Sequence, residues 1–309
     1  MSAQSSSPLL FTRKQAFLDW RASLPASARV GLVPTMGALH EGHASLFRKA
    51  RHHPGLTQVV GTIFVNPTQF GPSEDLAQYP RSLAQDLALL ASLGTLAPDV
   101  VFAPENAGEV YANGVHQTWV TVDEVSAPLC GKFRAGHFRG VATVVLKLIH
   151  LAGAHAAFFG EKDFQQLAVI RQMGRDLDLK TEVVGCATIR ENDGLALSSR
   201  NAYLSADERK QAPLLFEILR ELGSRMRAAQ YQKASEIEMD GLALLRARFP
   251  AFQPQYLEAR LALTLDTLAP DPATWPRQSI VIAAAGYLGR TRLIEHVVVE
   301  SAIPTTASQ

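Results

Sequence analysis

Apolar residues recur along this chain in two alternating rhythms. Short runs rich in β-branched residues, such as Arg29–Val33 and Thr57–Asn66, give way to stretches with apolar positions at helical spacing, such as Ala44, Leu46, Phe47 and Ala50. The former read as buried strands and the latter as amphipathic helices. The same reading predicts helices over Thr12–Ser23, Arg81–Leu93, Phe138–Leu151 and Asp163–Leu179. It predicts strands over Asp99–Ala103, Gln117–Val122, Ala154–Phe159 and Thr181–Ala187. Pro34 has no N–H for a ladder and is expected to end the first strand, leaving Thr35–Ala38 as a turn. Strands alternating with helices across short loops predict a parallel sheet covered on both faces.

After Ile189 the rhythm changes. A polar loop, Arg190–Asn201, precedes long helical patterns over Ala206–Ala228 and Ala234–Arg248. Tyr256–Leu263 and Ser279–Ala285 then look like strands of a smaller α+β unit. The expected division is residues 1–187 and 188–309, with the boundary near Ala187–Thr188.

Composition narrows the classes. The 309 residues are 47% apolar and 19% charged, ample for a sizeable core. A formal charge of +1 leaves no electrostatic footprint for nucleic acid or an anionic membrane. Only Cys130 and Cys186 are present, so no disulfide framework is implied and a reducing cytoplasm is expected. Met1–Ser7 is polar, without the basic flank and apolar stretch of a signal peptide. No apolar run approaches the roughly 20 residues that a membrane helix requires.

The candidate chemistry lies just beyond the predicted strands, where open parallel sheets collect ligands. Met36–His43 follows the first strand, and its strand–turn–helix pattern suits phosphates, with backbone N–H groups and a positive helix end at the turn. His40 and His43 flank Glu41 and Gly42 there. Half of a zinc site and ordinary helix-start residues are the other readings. Zinc needs further ligands, and His52 and His53 do not offer the spacing. Asn66 and Gln69 place carboxamides after the second strand, suited to hydroxyl and carboxylate oxygens. Gly160, Glu161, Lys162 and Asp163 follow a later strand, and Gln166 stands about one helical turn on from Asp163. Lys162 suits a phosphate and Asp163 a ribose hydroxyl, or Asp163 is simply a helix cap. Ser198, Ser199 and Arg200 join hydroxyls to a guanidinium. Asp86 is either a surface carboxylate or one facing the crevice to help hold magnesium.

Taken in order, VPTMGALHEGH, TIFVNPTQFGPSEDLAQYPRSLAQDLALL, GHFRGVATVVLKL, FFGEKDFQQLAVIRQMGRDL and IRENDGLALSSRNAYLS closely resemble the pantothenate synthetases, or pantoate–β-alanine ligases. The resemblance runs nearly unbroken from Gly31 to about Ser205 and resumes at Gly286–Glu295. HxGH alone is shared across a nucleotidyltransferase superfamily; the ordered set is specific. It implies a Rossmann-like α/β domain with a smaller α+β lid domain, in a cytoplasmic homodimer with no nucleic-acid or membrane partner. The implied reaction condenses pantoate with β-alanine using ATP and Mg2+. Pantoate attacks the α-phosphate, pyrophosphate leaves, and the amine opens the resulting pantoyl adenylate.

By the same resemblance, Met36, Gly37, Ala38, Leu39, His40, Glu41, Gly42 and His43 form the ATP-binding turn, with His43 as proton donor. Gln69 and Gln166 contact pantoate, with Asn66 and Met36 beside them. Gly160, Glu161, Lys162, Asp163, Ile189, Leu197, Ser198, Ser199 and Arg200 match further nucleotide contacts, and Asp86 matches the carboxylate associated with magnesium. His40, His43, Lys162, Ser198, Ser199 and Arg200 are thereby the expected catalytic groups. The chain departs from the family at Ala44, Ala135, Asn192 and Leu197, none of which removes a polar group from the site, and its closing motif ends in His296 where the family usually has asparagine. A transferase that releases its adenylylated product without ligation is the alternative. An aminoacyl-tRNA synthetase fragment also begins from HxGH, but the +1 charge and ALSSRN argue against it.

Overall fold

The computed structural model describes residues 7–72, 74–111 and 116–300. The chain folds as two compact units. One comprises residues up to Asp123 together with Arg134–Glu161 and Val169–Ile189; the other comprises Glu124–Phe133, Lys162–Ala168 and the chain from Arg190 on.

The first unit is built on a six-stranded parallel sheet: β1 (Leu9–Phe11), β2 (Val30–Thr35), β3 (Gln58–Ile63), β4 (Val100–Phe102), β5 (Ala154–Gly160) and β6 (Glu182–Cys186). The strand order is β1-β4-β3-β2-β5-β6. Connections from β2 progress one way, through β3 to β4, and those from β5 go the other way, to β6. The order therefore reverses between β2 and β5, which pair directly. Helices α1 (Lys14–Ser23), α2 (Glu41–Arg51), α3 (Leu83–Ser92), α5 (His137–Ala152) and the later part of α6 (Phe164–Asp176) belong to the same unit. On one face Val33, Val59, Val101, Ala156 and Phe158 of the sheet pack with Leu46, Phe47 and Ala50 of α2 and Leu90 of α3.

Three local expectations are corrected, and one strand is added. β2 runs through Pro34 to Thr35, paired with Thr62 and Ile63 of β3. Pairing with β5 has already ended at Leu32, so the missing N–H falls where the ladder has one partner left. Gln117–Val122 forms no strand: the Val120 N–H donates 3.0 Å to Thr143 Oγ1 on α5, and the sheet's edges are β1 and β6. β1 itself went unread, because three residues are too short for periodicity. The long pattern after Ser205 splits into α7 (Ala206–Gln211) and α8 (Leu214–Arg227). Pro213 stands between them and cannot supply a helical N–H.

The second unit holds the short α4 (Asp123–Ser126, from Glu124 on), α7, α8, α9 (Ala234–Arg248) and an antiparallel sheet β7-β8-β9 (Phe252–Leu261, Ile280–Leu288, Thr291–Val299). Leu215, Ile218, Leu219 and Leu222 of α8 bury against Leu257, Ile280, Ile282 and Ala284 of the sheet. The β8–β9 hairpin turns through Gly289-Arg290, with Gly289 at φ +56°.

Candidate active site

The reversal between β2 and β5 is where a doubly wound sheet opens a crevice at its carboxyl edge. Two of the expected segments lie at that edge. Thr35–His43 leaves β2 and enters α2, while Gly160 closes β5 and Glu161 follows it.

The first of these is a turn whose N–H groups are engaged by side chains. Gly37 N–H donates to Thr35 Oγ1, itself bonded to Thr62 O at 2.6 Å. Ala38 and Leu39 N–H donate to the two oxygens of Asp86, at 3.2 and 2.7 Å. Gly37 and Ala38 both lie in the left-handed region, at φ +83° and +50°. His40 is the N-cap of α2 and forms a reciprocal capping box with His43. Gly42 N–H donates to His40 Nδ1 at 3.1 Å, and His40 N–H to His43 Nδ1 at 3.3 Å. The expectation of N–H groups open to phosphate is therefore corrected for Gly37–His40 and Gly42.

The same bonds fix the imidazoles. Each Nδ1 accepts, so each neutral ring carries its proton on Nε2. The turn thus presents two Nε2–H donors, with ring centroids 4.2 Å apart, at the positive end of α2.

Gln69 belongs to a 3-10 turn, Pro67–Gln69, after β3. Its Oε1 accepts from Asn66 Nδ2 at 3.1 Å, and its Nε2 lies 3.0 Å from Met36 Sδ, so Gln69 and the histidine turn meet. Asn66 is 1% exposed. Its Oδ1 accepts from Thr68 and Tyr111, and its Nδ2 also donates to Gly140 O. The Asn66 amide is thus engaged inside the protein, and one of its bonds holds Gln69.

Helix α5 fixes this turn from the other side. His137 Nδ1 lies 2.8 Å from Gln69 O, and Arg134 Nη1 lies 2.9 Å from His137 Nε2. A carbonyl only accepts and a guanidinium only donates, so His137 is the Nδ1–H tautomer. Arg134 in turn grips Glu74 through two bonds, of 2.7 and 2.6 Å. Sequence reading missed this chain of contacts, for which GHFRG is the visible trace.

Asp86 lies inside α3, 4% exposed, its oxygens turned to the Ala38 and Leu39 N–H groups. Burial holds its carboxyl above the usual range, against the opposing effect of those two N–H groups. Among the described residues no group of three or more His, Cys, Asp and Glu is arranged to hold a metal ion. The side chains around Asp86 therefore do not fit a protein-built magnesium site.

Most of the other expected residues belong to the second unit. Lys162 Nζ lies 3.7 Å from Asp163 Oδ1. Of the glutamine pair in DFQQ, Gln165 is buried: its Oε1 accepts from Cys130 N–H at 2.9 Å, and its Nε2 donates 2.7 Å to Pro128 O. Gln166, the expected ligand, is only partly buried. Ser198 caps the 3-10 helix Ser199–Tyr203, its hydroxyl accepting from Arg200 N–H at 3.3 Å. The loop before it is pinned by Arg190, which grips buried Glu295 at 2.6 and 3.0 Å and stacks 3.4 Å above the Phe216 ring. Ile189, by contrast, ends the first unit, and Leu197 lies in the second. His296 packs on Phe164 at 4.9 Å, and burial holds its imidazole below the usual value.

Sheet, reversal point and paired-imidazole turn together define a doubly wound α/β protein of the HxGH class. Residues 10–298 match the family model for pantoate-beta-alanine ligase. The chain belongs to that family, and is a ligase. A pantothenate synthetase of Azotobacter vinelandii is 48% identical over 275 residues, covering 89% of this chain and 92% of the relative. The solved pantothenate synthetase of Thermus thermophilus is 42% identical with a TM-score of 0.82, covering 94% of this chain and 99% of that one. A Francisella tularensis pantoate-beta-alanine ligase, solved with beta-gamma ATP and beta-alanine, is 33% identical with a TM-score of 0.74, covering 94% of this chain and 97% of that one.

Proposed function

We propose that this protein condenses pantoate with β-alanine at the expense of ATP, through an enzyme-bound pantoyl adenylate, releasing AMP and pyrophosphate. The observation that carries the reading is the pair of Nε2–H donors held at the start of α2, beside the Gln69 carboxamide, at the reversal point of the sheet. Adenylation moves negative charge onto a departing pyrophosphate, and it needs fixed donors there rather than a covalent nucleophile. His40 and His43 supply such donors, and the dipole of α2 adds to them. Gln69, held by Asn66 and His137, offers its carboxamide to a hydroxyl or carboxylate oxygen of pantoate. Lys162, Ser198, Ser199 and Arg200 are assigned to the nucleotide phosphates, and Gln166 to pantoate. In this reading ATP arrives as its magnesium complex, the ion held by the phosphates, and the second unit serves as the lid. A cytoplasmic homodimer, as in the implied family pattern, completes the proposal.

The test is AMP release with each substrate omitted in turn. The full mixture of ATP, magnesium, pantoate and β-alanine is expected to yield AMP, pyrophosphate and pantothenate. Product formation without any amine would identify a transferase instead, and ADP would mean attack at the γ-phosphate.

A further inference from the structure

The turn that carries the histidines is not self-supporting. Gly37 and the non-glycine Ala38 both occupy the left-handed region, a conformation that persists for a residue with a Cβ only where its surroundings over-determine it. The Gly37 N–H bond to Thr35 leaves the next two N–H groups to be satisfied from elsewhere. Their acceptors come from α3, 47 residues further along the chain, through the two oxygens of Asp86. Leu83, Leu87 and Leu90 pack that helix onto the sheet core, and Asp86 shares their spacing, so the carboxylate is directed inward at the turn. It also fills the space beside Gly37: an added Cβ there would stand 2.9 Å from Asp86 Oδ2.

We propose that Asp86 is a positioning residue for nucleotide binding, a clamp on the Gly37–Leu39 turn that sets where His40 and His43 present their Nε2–H donors, and not a magnesium ligand. Releasing the Ala38 and Leu39 N–H groups frees the left-handed pair to relax, and the N-cap histidine that follows moves with it. The proposal rests on the reading of this turn as the ATP-binding one. Its first test is independent of that reading.

Hydrogen exchange on the full-length protein without ligands reads the clamp directly. Asp86→Asn keeps the shape, but sets an amide NH2 against one of the two N–H groups; Asp86→Ser keeps one acceptor and no carboxylate. In both, Ala38 or Leu39 is expected to exchange about tenfold faster than in wild type, as for one lost buried hydrogen bond. Unchanged exchange at both amides overturns the clamp.

ATP binding is then titrated by calorimetry in excess EDTA and again with magnesium, with pantoate titrated as control. Both variants are expected to bind ATP roughly tenfold more weakly under either condition, with pantoate affinity unaltered. A loss seen only with magnesium makes Asp86 a metal ligand and overturns the proposal. Equal loss for ATP and pantoate reduces it to general destabilisation and overturns it too. Wild-type protein that fails to bind ATP overturns the functional reading and with it the nucleotide half of this one, while exchange still decides the clamp.

Discussion

At the scale of single residues, a few protons decide what the site can do. His40 and His43 each give an Nδ1 lone pair to the backbone, so each neutral imidazole carries its proton on Nε2. His43→Ala removes one such donor and breaks the capping box that seats the turn. We expect adenylate formation to fall by about 10²–10³, the cost typical of losing one preorganised donor. Lys162→Ala is expected to fall in the same range, and rapid-quench assay of pantoyl adenylate in a single turnover measures both. This part of the site was legible in the sequence, because HEGH keeps its chemistry within one turn of helix. The partners of Asp86 were not, since they lie 47 and 48 residues away and a carboxylate among leucines looks the same facing in or out. Spacing from Asp163 singled out Gln166, but the burial of its neighbour Gln165 is visible only in the fold.

At the scale of elements, the placement of Gln69 depends on how closely α5 approaches the turn before it. Gly140 permits that approach: a Cβ there would stand 2.4 Å from Thr68 O and 2.8 Å from Gln69 N, both backbone atoms that cannot swing aside. Gly140→Ala is expected to destabilise the protein by about 1–3 kcal/mol, the range for overpacking. It should also raise the KM for pantoate well above any change for ATP; thermal melting and steady-state kinetics check the two effects.

The outer clasp of the same element has a pH signature. Burial alone would raise the Glu74 carboxyl, but the Arg134 bonds outweigh it and hold the group below its ordinary 4.5. A depressed carboxyl stabilises the fold above its unfolded value and loses that contribution as pH falls through the folded one. Glu74→Gln should therefore cost about 1 kcal/mol at neutral pH, and its melting temperature should converge with wild type below pH 4.5. A gap unchanged in acid would mean the pair contributes by shape alone. The strands and helices themselves were mostly readable, because burial on two faces writes continuous apolar runs. Gln117–Val122 misled because an apolar run beside a helix looks like one in a sheet. β9 was passed over, although its two-residue Gly289-Arg290 turn is the kind of signal that marks a hairpin.

At the scale of the whole molecule, the expected boundary near Ala187 meets a chain that changes units before it gets there. Glu124–Phe133 and Lys162–Ala168 belong with the chain from Arg190 on. Their partners lie there too: Cys130 Sγ is 3.2 Å from Tyr256 Oη, Lys132 pairs with Glu258 at 2.7 Å, and Phe164 packs on His296. Residues 1–187 alone lose all of these. That piece is expected to melt broadly and well below the full chain, and to make little adenylate; circular dichroism and a single-turnover assay measure it. A sharp melt matching the full-length first unit would show that the inserted segments need no partner.

That threading has a consequence for inheritance. Neither unit corresponds to a continuous stretch of gene, so no single crossover separates one whole unit from the other. A crossover near codon 187 would join Gln165 and its loop from one parent to a β7–β9 sheet from another, placing Cys130 opposite a foreign Tyr256. The second unit cannot be exchanged as a cassette to alter what the first one does.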